Sequence, residues 1–312
     1  MRVVFFGTSE FAVPILTAIA DAGYELCCVV TQPDKPAGRG KKIMLSPVKE
    51  KALALGIPVF QPVKVKSIEA ISQLAKYQAE LFVVVAYGQI LNLQLLNIAK
   101  YGAINVHGSL LPAYRGAAPI HWAIINGEKS TGVTTMLMNE GLDTGDILIK
   151  KSLSIGENDN TGLVHYRLSL LGAEAMLETL ELVMAGKLTE TRRKQQEEFS
   201  SYAKMLTRDL EKIDWFWEAE RLHNFIRGMN PTPSVYAMLH DIPLKIVETK
   251  LATSSLCGDP GEILAITANK SLLVQTGKGV LEITKVKPAG KKTMDVRDYL
   301  HGNKLQVGEK FA

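Results

Sequence analysis

Apolar residues fall in short blocks along the first hundred positions, and each block precedes a stretch where they recur at helical spacing. Residues 2–7, Arg-Val-Val-Phe-Phe-Gly, lead into Ser9, a possible helix cap, and a periodic segment over 11–22 that stops at Gly23. The pairing recurs as strands at 26–31, 57–60 and 81–86, followed by helices at 47–55, 67–76 and 92–98. Strands alternating with helices predict an α/β domain with a parallel, twisted sheet flanked by helices. Residues 132–138 and 146–154 flank the turn-rich segment 141–145, which adds a hairpin to that sheet with Asp143 near its tip.

Helical periodicity returns over 162–184 and ends at Gly186, giving a long helix that caps the first domain. Residues 187–204 are then rich in Lys, Arg, Gln and Glu, the pattern of an exposed linker. Ile213-Asp214-Trp215 opens a new apolar phase, with a helix near 219–227 and the turn Asn230-Pro231-Thr232-Pro233. Strand-like runs follow at 235–239, 244–249, 262–267, 271–275 and 280–286, and five short strands separated by turn signals suggest a small β-barrel. The expected division is an α/β domain over 1–189, a linker over 190–206 and a β-rich domain over 207–312.

With 312 residues and 46% hydrophobic content, the chain can bury a substantial core. No apolar run approaches the roughly 20 residues of a membrane span, so a soluble, cytoplasmic protein is expected. Cys27 and Cys28 adjoin on a buried strand and Cys257 stands alone, which suits neither a disulfide framework nor a zinc knuckle. The six histidines are scattered without metal-ligand spacing, so no metal is expected. A net charge of +4 is modest, but its distribution is uneven. Between Gln32 and Ser46 the one acid, Asp34, stands against Lys35, Arg39, Lys41 and Lys42, and two prolines and two glycines disfavour regular structure there. A second basic stretch, 278–292, holds five lysines against Glu282.

The apolar run Gly102-Ala103-Ile104 leads into Asn105-Val106-His107, so a buried strand ends where polar side chains begin, at the edge where α/β sheets keep their ligand crevice. Asn105 can donate to an oxygen gaining negative charge, His107 can handle a proton, and a carboxylate such as Asp143 can stabilise the charged imidazole. No serine, cysteine or lysine need attack, because an amine substrate held in line with an acyl donor can serve as nucleophile. Read blandly, Asn-x-His satisfies loop backbone and Gly141-Leu142-Asp143-Thr144-Gly145-Asp146 is a turn cluster. Arg115 either orients the site or caps a turn. Gly7-Thr8-Ser9-Glu10-Phe11 lacks the later glycines of a dinucleotide fingerprint, and Gly38-Arg39-Gly40-Lys41-Lys42 lacks the rest of a phosphate loop.

The continuous stretch from Asn105 through His107-Gly108-Ser109-Leu110-Leu111-Pro112 and Tyr114-Arg115-Gly116 to Ile120 resembles the signature of folate-dependent formyltransferases, and the similarity extends to nearly the whole chain. The resemblance implies a Rossmann-like catalytic domain followed by a C-terminal barrel of the OB-fold type. It also implies 10-formyltetrahydrofolate as formyl donor and catalysis by Asn105, His107 and Asp143. By the same resemblance, Ser109, Leu110, Leu111, Pro112, Ile90 and Leu91 line the folate pocket, although Leu110 and Leu111 read equally as core packing. The loop over 32–42 and the C-terminal region are most similar to those family members that formylate the α-amine of initiator methionyl-tRNA and act as monomers. On that reading Arg39, Lys41 and Lys42 contact the acceptor end, Lys287, Lys291 and Lys292 extend the basic track, and Phe11 lines the pocket for the methionine side chain. Formylation of a small amine such as a nucleotide sugar or glycinamide ribotide, release of formate by hydrolysis, and noncatalytic RNA binding are the alternatives.

Overall fold

The computed structural model describes residues 1–37 and 42–312, so Arg39, Lys41 and the side chain of Lys42 lie outside the described residues. The chain divides into two units, Met1–Pro119 with Thr131–Leu153 and His165–Ala203, and Ile120–Ser130 with Ser154–Val164 and Lys204–Ala312. Residues 187–203, read from composition as linker, fall within the first unit.

Through the first 203 residues run β1 (Arg2–Gly7), β2 (Glu25–Val30), β3 (Lys35–Ala37), β4 (Lys42–Met44), β5 (Val59–Phe60), β6 (Leu81–Val85), β7 (Ala103–His107), β8 (Arg115–Gly116), β9 (Ser130–Leu137), β10 (Asp146–Ser154) and β11 (Tyr202–Ala203). The main sheet has the order β10-β9-β7-β6-β1-β2-β5. From β5 to β7 all neighbours are parallel, and β9 then pairs antiparallel with β7, so the sheet is mixed. Val3, Val4, Phe5 and Phe6 of β1, like the whole of β6, are buried, which is why these strands read as unbroken apolar runs. Strand order reverses between β1 and β6, and the crevice of such a sheet opens beyond the carboxyl ends of its strands.

Two local expectations change. Ser9 does not cap the first helix, Ala12–Asp21, with its hydroxyl; its backbone carbonyl accepts from Ala12 N at 3.1 Å instead. The basic loop, expected to be irregular, carries the antiparallel pair β3 and β4, because Lys35–Ala37 can align with Lys42–Met44 in register. The helix Pro119–Ile125 has no counterpart in the periodicity reading, its seven residues being too few to show a repeat.

The second unit holds β12 (Val235–Leu239), β13 (Ile242–Ala252), β14 (Ile263–Ile266), β15 (Leu272–Gln275), β16 (Val280–Pro288) and β17 (Met294–Asp295). Five of these occupy the five predicted positions, joined antiparallel in the order β12-β13-β16-β15-β14, and β17 pairs with β16. This is an open path of strands, not a closed ring of pairings. The chain end touches both outer strands, since Met238 and Ala312 exchange hydrogen bonds at 2.8 Å and Ile263 N donates to Glu309 O at 2.8 Å. Trp215, Leu222, Phe225, Ile246, Leu281 and Phe311 lie in the core of this unit.

The helix Ala219–Met229 holds the loop before Thr161 through two buried polar side chains one turn apart. His223 Nε2 lies 3.0 Å from Glu157 O and its Nδ1 3.0 Å from Thr249 Oγ1, while Arg227 Nη1 donates to Gly156 O and Asp159 O at 3.0 and 2.8 Å. Burial lowers the His223 pKa, so the folded chain disfavours a proton that the unfolded chain accepts. Stability from this group is therefore present above the ordinary imidazole pKa and lost as pH falls through the lowered value. Thermal unfolding followed from neutral to mildly acidic pH should show a falling Tm, with a shallower fall in His223→Asn; equal slopes in the two proteins would contradict this.

Candidate active site

The carboxyl ends of β1, β2 and β6 are tied together by polar side chains. Thr8 Oγ1 donates to Tyr87 O at 2.8 Å, Gln32 N donates to Thr8 Oγ1 at 3.3 Å, and Gln32 Nε2 donates to Tyr87 O at 3.2 Å. This holds the rim of the crevice beside the switch in strand order. On the other side of β6, β7 carries Asn105 and His107 two residues apart, hence on the same face of the sheet. Asn105 is half-buried, and its carboxamide donates to no protein group among the described residues.

His107 is 6% exposed, with Nε2 2.9 Å from Tyr114 O. A carbonyl can only accept, so Nε2 carries the hydrogen and Nδ1 is the nitrogen left to exchange a proton. Nδ1 lies 3.6 Å from Asp143 Oδ2, within ion-pair range but longer than a hydrogen bond. Asp143 sits between β9 and β10 at φ +55, and the same Oδ2 accepts from Gly116 N at 2.9 Å. Gly116 itself has φ +113, and a Cβ there would stand 2.8 Å from Ala203 O. Residues distant in sequence thus place an imidazole and a carboxylate side by side at the end of β7, on the strand that carries the carboxamide.

The loop after β7 is held from inside. Ser109 is fully buried, its hydroxyl donating to Ala113 O at 2.6 Å, and Leu111 is buried with Met136 and Ile147. Leu110 packs over Gly132, where a Cβ would stand 2.4 Å from Leu110 Cδ2, and Pro112 is half-buried. Leu91 is 3% exposed within the core of the parallel strands, whereas Ile90 is 68% exposed. Phe11 is buried and meets His165 edge-on, ring centroids 5.2 Å apart. Burial lowers the His165 pKa, with Glu10 opposing, so this imidazole favours its neutral form. A cavity of about 680 Å³ opens beside β5 at the edge of the sheet and includes none of these residues.

A family model described as formyl transferase matches residues 1–180, and one described as formyl transferase, C-terminal domain matches 205–304. The chain belongs to the formyl transferase family. Within the family, it is 45% identical over 308 residues to the methionyl-tRNA formyltransferase of Alkaliphilus oremlandii, covering 99% of this chain and 98% of that one. It is 47% identical over 308 residues to that of Citrifermentans bemidjiense, covering 99% and 95%. In fold it is similar to the sugar 3N-formyl transferase WlaRD, solved with dTDP and 5-N-formyl-THF, with TM-score 0.67 at 20% identity over 94% of this chain and 99% of that one.

Sequence reasoning missed Thr134, Gln195 and His165, which contact the candidate residues Ser109, Asp143 and Phe11. Thr134, paired with His107 in the sheet, donates from Oγ1 to Ser109 O at 2.7 Å and accepts from Leu111 N at 3.1 Å. Its buried hydroxyl therefore fixes the loop backbone, a role that a β-branched residue in a strand does not advertise. Thr134→Val keeps the shape and removes both bonds, so chemical unfolding should report a loss of about 1–3 kcal/mol. A change within about 0.5 kcal/mol would contradict the role.

Proposed function

We propose that this chain transfers the formyl group of 10-formyltetrahydrofolate to the free α-amine of methionyl-tRNA, with Asn105, His107 and Asp143 as the catalytic residues. The observation that carries the reading is the convergence of His107 Nδ1 and Asp143 Oδ2 at 3.6 Å, on the strand that presents Asn105. The amine nitrogen bonds to the formyl carbon, the bond from that carbon to folate N10 breaks, and one proton passes from the attacking nitrogen to the leaving one. Asn105 donates to the carbonyl oxygen as it gains charge, and His107, anchored through Nε2, moves the proton at Nδ1. Asp143 stabilises the charged ring and assists that transfer through water. An aminoacyl ester lowers the basicity of its own amine, so the nucleophile needs little activation by the protein. The loop Ser109-Leu110-Leu111-Pro112, with Leu91 and Ile90, is assigned to the folate, a flat heteroatom-rich ring that needs apolar walls and backbone groups.

Methionyl-tRNA as acceptor is supported by the identity of 45–47% over nearly full length to relatives of that name. The charge distribution agrees. Asp34, the acid in the basic loop, is engaged by Lys49 at 2.5 Å and by Gln61 Nε2 at 2.8 Å, and these bonds hold its carboxyl below the usual range. The loop's remaining charge is positive, and Arg39, Lys41 and Lys42 are assigned to the acceptor end of the tRNA, with Phe11 against the methionine side chain. In the C-terminal unit Lys285 is paired with Glu248 at 2.8 Å, whereas Lys287, Lys291 and Lys292 are exposed and make no ion pair among the described residues. That unit is read as an OB-type barrel completed by the chain end and as the tRNA-binding part of a monomeric, cytoplasmic enzyme.

His107→Ala should slow transfer to methionyl-tRNA by about a hundredfold or more while tRNA affinity stays near normal. An unimpaired rate would remove the imidazole from the mechanism. Arg39→Ala should weaken tRNA binding and flatten its dependence on salt, and an unchanged salt slope would argue against phosphate contact by this loop. Offering the enzyme formyl-folate with either charged initiator tRNA or small amines separates the readings, product on the small amine alone being the contrary result.

A further inference from the structure

Gln195 lies in the polar stretch after the long helix Thr161–Met184, where composition marks nothing special. Its carboxamide nevertheless uses every hydrogen-bonding position it has. Nε2 donates to Asp143 O and to Gly145 O, both at 2.8 Å, while Oε1 accepts from Arg115 Nε at 3.0 Å and Arg115 Nη2 at 2.9 Å. The guanidinium only donates and the carbonyls only accept, so the orientation of the amide is settled by its partners. Arg115 is 1% exposed, and it also bonds both carboxylate oxygens of Glu197, at 2.9 and 2.8 Å. Glu197 raises the Arg115 pKa, so the guanidinium is a permanent cation with fixed geometry. The next residue, Gly116, gives its N–H to the Asp143 carboxylate.

We infer that Gln195, oriented by Arg115, is a positioning residue for Asp143: it clamps the backbone of the turn so that the carboxylate stays beside His107. Removing the clamp leaves the carboxylate in place chemically but frees the turn to leave its φ of +55, and the cost falls on the chemical step. Glutamate cannot replace it, because a carboxylate accepts from Arg115 but has no hydrogen for the two carbonyls.

The inference rests on the proposed role of Asp143, and the test separates the two. Full-length enzyme carrying Gln195→Ala, Gln195→Glu, Asp143→Ala and Gln195→Ala with Asp143→Ala is assayed for formyl transfer to methionyl-tRNA, with unfolding curves for each. Gln195→Ala and Gln195→Glu should each lower kcat by about tenfold or more, with KM for both substrates within about twofold. In the Asp143→Ala background, Gln195→Ala should lower the rate by less than about twofold further, because its effect runs through the missing carboxylate. A slow Asp143→Ala enzyme combined with a full additional loss from Gln195→Ala, or with a Gln195→Glu enzyme at the wild-type rate, would overturn the inference alone. Wild-type rate in Asp143→Ala would overturn the site reading and the inference with it. Because Gln195 is half-buried and Gln195→Glu retains its bulk and its bond to Arg115, the test does not depend on either variant alone folding.

Discussion

For its carboxylate to face His107, Asp143 must hold a left-handed backbone, φ +55, which disfavours most side chains and which Asp tolerates better than most. The turn is eased by glycines two positions to either side, Gly141 and Gly145. A Cβ at Gly145 would stand 1.9 Å from Leu137 O, and one at Gly141 would stand 2.1 Å from Thr144 Oγ1. The two glycines of Gly-Leu-Asp-Thr-Gly-Asp therefore give the chain between β9 and β10 the room it needs while Asp143 faces His107. Gly116 N–H then fixes the side chain and Gln195 the main chain. His107, Gly116 after the β7 loop and Gln195 of the segment over 187–203 all meet this turn.

Much of the first unit was legible because its physics is local. Parallel strands buried on both faces leave unbroken apolar blocks such as Leu81-Phe82-Val83-Val84-Val85, and helices of eight residues or more leave a repeat. As candidates, Asn105, His107 and Asp143 stood out because a carboxamide, an imidazole and a carboxylate lay where an apolar run stopped and where glycines crowded. What stayed hidden depends on long-range contact. Arg115 and Gln195 meet across 80 positions, and Gln195 and Asp143 across 52. A polar stretch that turns back onto the sheet has the same composition as one left in solvent, which is why 187–203 read as a linker. It is anchored by pairing of Tyr202–Ala203 with Arg115–Gly116 and by the Ile147–Arg193 bridge.

The second unit follows the same rule. Its five main strands were visible from alternation and turn residues, but β17 and the helix Val296–Gly302 are too short to show a period. Buried polar groups do the holding there too. His223 and Arg227 satisfy backbone carbonyls of the loop over 156–159, so an amphipathic helix carries both a core face and a polar clamp. Both units use buried donors to fix a loop that apolar packing alone would leave free.

The most direct measurement of the central geometry is the protonation pattern of the His107 ring, read by long-range ¹⁵N–¹H correlation in ¹⁵N-histidine-labelled enzyme and assigned with His107→Gln. In the neutral ring the hydrogen should sit on Nε2, bound by the Tyr114 carbonyl, and the Nδ1 resonance of that neutral ring should shift when Asp143 is replaced by Asn. A neutral ring with its hydrogen on Nδ1, or an Nδ1 resonance indifferent to Asp143→Asn, would contradict the convergence on which the mechanism stands.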